Sequence, residues 1–395
     1  MKILQAHNAY QFRGGEDAVV DAEAALLRAH GHEVIEWRRH FEQIAETGLL
    51  RAVTDTWWSR RTQAELRDWV RTENPDLVHV HNTFPLISPS LFWAADEARL
   101  PVVQTLHNFR LICPQAMLLR DGQVCERCVG RAPLPAVLHG CYRGSRPASA
   151  VLAGMLFLHR SMGTWTDKVD RFIALNSFCR DKFVLGGLPA ARIAIKPNFV
   201  DIGAEPENEQ PRQGLVFVGR LSPEKGVDLL AQAVAGLPAG SLTVVGTGPD
   251  SAALTACGAA TMLGQQARSA IGGLVARAHV LVFPSVAYET FGLVIIEAFA
   301  VGTPVIASRH GAALELVVDG ETGLLFEPGS VGDLAAKIRW ALSHPAEMAA
   351  MGRRAREVAL AHYGPDVNYA QLMTVYIDAA QSRAARTATG AVTAE

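Results

Sequence analysis

The chain has 395 residues, 49% of them apolar and 19% charged, which is enough material for two or three domains with buried cores and excludes general disorder. Its 37 basic and 39 acidic side chains leave a formal charge of −2, which excludes a strongly basic nucleic-acid protein on bulk charge. The average hides a split, because residues 1–200 hold 24 Lys and Arg against 20 Asp and Glu while residues 201–395 hold 13 against 19, so two domains with different ligands are expected.

In chain order, residues 2–6 form a strand and residues 16–30 a helix with Ala18, Ala22, Ala25 and Leu26 on one face. Gly31 ends that helix, and residues 33–37 open the next strand. Residues 76–81, 102–106 and 171–175 read as further buried strands, and residues 148–158 as an apolar helix. Strands alternating with helices imply a parallel sheet. After a polar stretch at 203–214, with Pro206 and Pro211, the pattern restarts. Residues 215–218 form a strand. The helix at 227–237 carries Val227, Leu230, Val234 and Leu237 as a buried stripe, and strands follow at 242–245, 262–264, 280–283 and 304–307. The expected organisation is a first domain at 1–198, a linker at 199–214 and a second domain at 215–362. Residues 363–395 form a last helix crossing back to the first domain, with a disordered tail. No apolar run approaches the ~20 residues that span a bilayer. The first residues read as a strand rather than a signal peptide, so a cytoplasmic protein with reduced thiols is expected.

Open parallel sheets bind ligands at the carboxyl ends of their strands, and the informative residues lie there. Arg220 and Lys225 follow the strand at 215–218 and precede a helix; a planar fork and a point charge beside a helix N-terminus suit a diphosphate, or form a solvated surface turn. Gly246, in Gly246-Thr247-Gly248, lets backbone approach closely, either to a ligand or simply to make a turn. Phe291, Gly292 and Leu293 open a helix whose free amides can hold phosphate oxygens. A carboxylate at that mouth would repel phosphate, so Glu289 is read as an acceptor for sugar hydroxyls. Glu297 lies in an otherwise apolar helix, where it needs either a buried ion pair or ribose hydroxyls as partners.

Together these residues resemble the retaining family 4 glycosyltransferases of GT-B fold, in which two Rossmann-like doubly wound α/β domains face each other across a cleft. The resemblance rests on Gly219-Arg220-Leu221-Ser222-Pro223-Glu224-Lys225-Gly226, on Glu289 and Glu297 seven residues apart, on residues 302–308 (GTPVIAS) and on residues 319–325 (DGETGLL). It covers most of the second half and is specific as a set. It implies that Arg220 and Lys225 bind the diphosphate, Glu289 touches the sugar and Glu297 binds the ribose. The first half fits more loosely. Arg13-Gly14-Gly15-Glu16 resembles the family's glycine-rich loop, whose amides face the donor phosphates, and His107 resembles its histidine near the donor sugar. The segment 250–268 is shorter and richer in Ala than the family pattern, which leaves base recognition the loosest match.

The implied reaction moves a hexose from a nucleotide-diphosphate sugar to a glycan or lipid-linked acceptor, with retention and without a catalytic metal, in cell-surface polysaccharide synthesis. A GT-B epimerase is the competing enzyme reading, and the family's Glu pair argues against it. A non-catalytic sugar-nucleotide binding protein is the reading from another class. No nucleic-acid partner is expected.

Cys113, Cys125, Cys128 and Cys141 include one C-x-x-C pair, so they are read either as a tetrahedral structural zinc site or as buried free thiols. The same region carries Arg110, Arg120, Arg127, Arg131, Arg143 and Arg146. With Trp57, Trp58, Arg60 and Arg61 these suit an anionic membrane face or a lipid-linked diphosphate, or else a solvated basic surface over a core helix.

Overall fold

The computed structural model describes residues 1–9, 14–40, 42, 43, 48–203 and 211–392. Arg13 and residues 204–210 of the expected linker lie outside the described residues. Fourteen strands are described: β1 (Lys2–Ala9), β2 (Glu33–His40), β3 (Leu77–Asn82), β4 (Val102–Thr105), β5 (Leu119–Arg120), β6 (Gln123–Val124), β7 (Arg171–Ala174), β8 (Ile193–Ile195), β9 (Leu215–Val218), β10 (Leu242–Val245), β11 (Ala260–Gly264), β12 (Val280–Phe283), β13 (Val305–Ser308) and β14 (Gly323–Phe326).

The chain divides into two compact units. The first comprises Met1–Met117, Glu126–Pro197 and Asn368–Glu395, and the second Leu118–Cys125 and Asn198–Val367. The first holds a six-stranded parallel sheet in the order β2-β1-β3-β4-β7-β8, and the second one in the order β11-β10-β9-β12-β13-β14. The strand order reverses between β1 and β3 in one sheet and between β9 and β12 in the other, and such switch points are where open α/β sheets bind ligands. The antiparallel β5–β6 hairpin carries no periodic signal and was not expected.

In the first unit, one face of the sheet changes character along its strands. Ile3, Leu77, Val103 and Ile173 pack with Leu27, Leu372 and Tyr376 into a dry core. Two residues further along, toward the carboxyl ends, the same face carries Gln5, His79 and Thr105, all buried. The helices over this face are Gly15–Ala29 and the last one, Pro365–Val392. Arg383 anchors the last helix through Asp170 Oδ2, at 3.1 Å from Nε and 3.0 Å from Nη2. The second unit's core joins Leu215, Phe217, Leu230, Val244, Val282 and Ile306. Its helix at 227 is shorter than its apolar stripe suggests, spanning Val227–Ala233. The apolar helix at 148 is longer, spanning Arg146–Ser161, because Ser145 caps it and Pro147 opens it.

Candidate active site

Loops after β9 and β12, on either side of the second sheet's switch point, carry the donor-side residues. Lys225 closes a short 3-10 turn, Pro223–Lys225. Its Nζ donates to Glu289 Oε1 at 2.6 Å, and Ser285 Oγ donates to the same oxygen at 2.8 Å. Burial pushes the Glu289 carboxyl up, and Lys225, Ser285 and His310 together outweigh it and leave the carboxyl below the usual carboxylate range. The two loops are tied together by backbone, since Val286 N and Ala287 N both donate to Glu224 O. Gly226 permits this approach: it sits at φ +70°, and a Cβ there would lie 2.0 Å from Pro284 O. Arg220 is exposed, and its carbonyl accepts from Ser222 N at 3.1 Å.

The helix Leu293–Ala300 begins at Gly292, at φ +86°, with no side chain capping it and no carboxylate in its first turn. The amides around Phe291, Gly292 and Leu293 therefore meet no competing anion of their own, as a phosphate-binding helix terminus requires. One turn on, Glu297 Oε1 accepts from Arg268 Nη2 at 2.7 Å. Glu297 is largely buried and Arg268 mostly exposed, so this is a half-solvated pair rather than a buried one. Burial keeps the Glu297 carboxyl above its ordinary range against the pull of Arg268.

At Gly246 the close approach seen is to protein backbone. At φ +136°, a Cβ on it would meet Gly219 O at 1.9 Å. The glycine lets the turn after β10 lie against the loop after β9, where Leu221 N donates to Thr247 O.

In the first unit, Gly14 caps the helix Gly15–Ala29, and its amide is committed to Asp17 Oδ2 at 2.8 Å. With Glu16 and Asp17 in the first turn, this terminus is less ready for an anion than the one at Gly292. Around Gly15, a Cβ would meet nothing within 4 Å. His107 follows β4 and joins a buried chain of polar groups. Its Nε2 lies 2.9 Å from His81 Nδ1, and His81 Nε2 lies 3.2 Å from Gln5 Nε2 and 3.4 Å from Glu23 Oε1. His79 Nδ1 lies 3.0 Å from Glu23 Oε1 and 2.8 Å from Tyr376 Oη. Lys196 Nζ takes Glu23 Oε2 at 3.2 Å and Asn368 Oδ1 at 3.0 Å. Burial pushes His81 well down and His107 down to about 3. Sequence reasoning missed this cluster, although polar residues at 5, 7, 79 and 81 recur every second position in otherwise apolar strands.

Glu23, His79 and His81 are the one group among the described residues with three ligand atoms close enough for a metal. Lys196 on the second carboxylate oxygen, and hydrogen-bond partners on both imidazoles, suit a hydrogen-bonded network better than a dication. The cysteine set expected to hold zinc does not form such a group. Within the first unit Cys113, Cys128 and Cys141 make no ligand trio, and Cys125 falls in the segment grouped with the second unit. Cys113 and Cys128 flank Arg160, whose positive charge would repel a dication. Trp58, expected on a basic aromatic surface, is half-buried and stacks on His159 at 5.9 Å with planes 2° apart.

Against this geometry, comparisons with known proteins agree over most of the chain. Residues 13–203 match the model described as Glycosyltransferase Family 4, and residues 202–358 the model described as Glycosyl transferases group 1. A glycogen synthase of Mycobacterium tuberculosis is 34% identical over 204 residues, 48% of this chain and 49% of that protein. A D-inositol 3-phosphate glycosyltransferase of a Mycobacterium species is 30% identical over 289 residues, 69% of this chain and 60% of that protein. The chain thus spans about half the length of the curated relatives it matches. Among solved structures, Anabaena HepE in complex with UDP gives a TM-score of 0.66 at 20% identity, covering 95% of this chain and 99% of that one. Sucrose-phosphate synthase of Thermosynechococcus elongatus gives 0.70 at 20% identity, covering 95% and 98%. The structural likeness establishes the GT-B fold, and with both models matching in order, the chain belongs to the family 4 glycosyltransferases.

Proposed function

We propose that this chain is a retaining glycosyltransferase that moves a hexose from a nucleotide-diphosphate sugar to a glycan or lipid-linked acceptor. The observation that carries the reading is the Lys225–Glu289 pair at 2.6 Å. It places a cation suited to a diphosphate beside a carboxylate suited to sugar hydroxyls, at the sheet's switch point. Arg220, Lys225 and the amides at Phe291–Leu293 stabilise the charge that builds on the leaving diphosphate, which is commonly the largest catalytic contribution. Glu289 orients the sugar, Glu297 accepts from the ribose, and His107 serves the donor sugar. The bond from the anomeric carbon to the phosphate oxygen breaks, with its electron pair going to the diphosphate. The acceptor oxygen bonds to that carbon on the same face, and its proton passes to the departing phosphate oxygen. The two cations and the amides carry the charge that a metal would otherwise neutralise.

The reading extends to a peripheral position on the cytoplasmic face of a membrane, in cell-surface polysaccharide synthesis. Its support lies in the first unit. Leu134 and Leu138, in the helix Leu134–Leu138, are 60% and 59% exposed, and Phe157, in Arg146–Ser161, is 58% exposed. Arg127, Arg131, Arg143 and Arg146 are exposed in the same stretch. Apolar side chains among arginines fit an anionic bilayer surface. A pocket of about 680 Å³ lined by Arg51, Asp55, Trp57, Trp58, Arg60 and Arg61, with three cations against one carboxylate, offers room for an anionic acceptor headgroup. No helix among the described residues is long and apolar enough to cross a membrane.

The test is nucleotide release from a panel of uridine, adenosine and guanosine diphosphate sugars, for wild type, Lys225→Ala and Glu289→Ala. Release by the wild type that falls about 10²–10³-fold in both variants supports transfer. Equal release in all three defeats it. Interconversion of the sugar without release marks an epimerase, and tight binding without turnover marks a binding protein.

A further inference from the structure

Glu289 presents its two carboxylate oxygens unequally. Oε1 accepts from Lys225 Nζ at 2.6 Å and from Ser285 Oγ at 2.8 Å, while Oε2 accepts no hydrogen bond among the described residues. One oxygen is therefore held by the protein and the other is left for a ligand. That division depends on Ser285, which follows β12 and is 2% exposed. Its hydroxyl reaches Glu289, further along the same loop, only while the backbone between them keeps its turn. The loop after β13 grips that segment at both ends. His310 Nε2 lies 2.8 Å from Ser285 O, and Ala312 N donates to Glu289 O at 3.3 Å. Between these contacts Gly311 sits at φ +58°, where a Cβ would lie 3.4 Å from Glu289 N. A carbonyl oxygen can only accept, so His310 carries a proton on Nε2 and donates it. The Ala312 contact is made by backbone and is open to any residue but proline. The His310 contact is made by a side chain, so it depends on which residue stands there.

We propose that His310 is a positioning residue for Glu289, holding the Ser285 carbonyl so that the Ser285 hydroxyl stays on Oε1 and Oε2 remains free for substrate. Resting on the function proposed above, the substrate group is a hydroxyl of the transferred sugar. Charged groups facing Glu289 are Lys225 from the loop after β9 and His310 itself, and both favour the ionised carboxylate.

Carboxyl ¹³C spectra of the full chain, labelled with ¹³C-glutamate, follow the ionisation of Glu289 without turnover. Its signal is identified by the loss in Glu289→Gln. His310→Ala should raise the Glu289 midpoint. His310→Gln keeps an N–H donor and lacks the ring's charge, so it should raise the midpoint less. An unmoved midpoint in His310→Ala, or equal rises in both variants, overturns the positioning role. In release kinetics, His310→Ala should lower kcat about three- to tenfold, the size of one neutral hydrogen bond. KM and affinity for a bare nucleoside diphosphate should change little. His310→Gln should recover most of the loss, and in a Glu289→Gln background His310→Ala should cost nothing further. A loss of the same size in that background, or an equal loss of nucleoside diphosphate affinity, overturns the proposal, because His310 would then act on the loops at large. A wild type that releases no nucleotide defeats the proposed function and leaves the midpoint result standing. A shifted midpoint with unchanged kcat overturns the link to the sugar.

Discussion

Lys225 and Glu289 hold each other at 2.6 Å, so the group read as a diphosphate ligand and the group read as a sugar ligand are one ion pair. The two substitutions should nevertheless separate. Lys225→Ala should weaken binding of a bare nucleoside diphosphate, because it removes charge from the phosphate position. Glu289→Gln should leave that affinity unchanged or slightly tighter, because it frees Lys225, while lowering turnover of the sugar nucleotide by about 10²-fold. Calorimetry with the nucleotide and release kinetics with the sugar nucleotide give the two numbers. Equal loss of nucleotide affinity in both variants would show that the pair only braces the loops.

Glu297 and Arg268 should behave unequally. Arg268 is mostly exposed, and an exposed pair is worth about 0–1 kcal/mol. Arg268→Ala should therefore change nucleotide affinity little at neutral pH, whereas Glu297→Gln should weaken it by removing an ionised acceptor for the ribose. Because burial raises the Glu297 carboxyl, affinity should start to fall, as pH is lowered, earlier than an ordinary carboxylate would allow. Arg268→Ala should move that fall to still higher pH, since Arg268 favours the ionised form. Nucleotide titrations over a pH series check both, and a curve unaffected by Glu297→Gln would remove Glu297 from the ribose.

The positions of these residues were legible because each follows a strand: Arg220 and Lys225 after β9, Gly246 after β10, Glu289 after β12. What the sequence hid was pairing at a distance. Lys196 carries no signal in the sequence, yet it is 2% exposed and bonded to Glu23, 173 positions away. Tyr376 reaches His79 across 297 positions. Strand alternation puts His79 and His81 on one face, and nothing local says which helix covers that face. Gly246 shows the converse, since a glycine-rich turn looks the same in sequence whether it meets a phosphate or another loop.

The buried cluster should make the first unit acid-sensitive. The neighbouring His79 and Lys196 outweigh burial and hold the Glu23 carboxyl well below its ordinary 4.5, so its stabilising contribution is complete above that value and is lost as pH falls toward the folded one. His107, at about 3 when folded against 6.5 ordinarily, acts in the same direction. Below 6.5 the unfolded chain takes up a proton that the folded chain refuses, so stability falls as pH drops. Melting temperatures measured from pH 7 to 4 should decline. Lys196→Met should cost about 3–5 kcal/mol at neutral pH by leaving Glu23 buried without its cation, and it should flatten the decline below 4.5. A wild-type melting temperature independent of pH would contradict the cluster's charge state.

Gly246→Ala should act on stability first. Its Cβ would fall 1.9 Å from Gly219 O, backbone that can move only with the loop carrying Arg220 and Lys225. A loss above about 2 kcal/mol is expected from strain of this kind, with weaker nucleotide binding following from the shifted cations. Gly15→Ala is the control, since a Cβ there meets nothing within 4 Å. Denaturant curves should separate the two, and a Gly246→Ala protein as stable as the wild type would mean the loops are not packed as described.

The exposed apolar face offers a sharper membrane test than the tryptophans, because Trp58 is half-buried and its ring stacks on His159. Replacing Leu134, Leu138 and Phe157 together by Ser removes side chains that are each more than half exposed, so the fold should tolerate the change while contact with lipid would not. Burial of such side chains is worth about 1.5–3 kcal/mol each when complete, so partial insertion of three predicts at least a tenfold loss of binding to anionic liposomes. Replacing Arg127, Arg131, Arg143 and Arg146 by Gln should instead reduce the dependence on anionic lipid and on salt. Flotation with anionic and zwitterionic vesicles distinguishes the contributions, and binding unchanged in both variants would dismiss this face as the membrane contact.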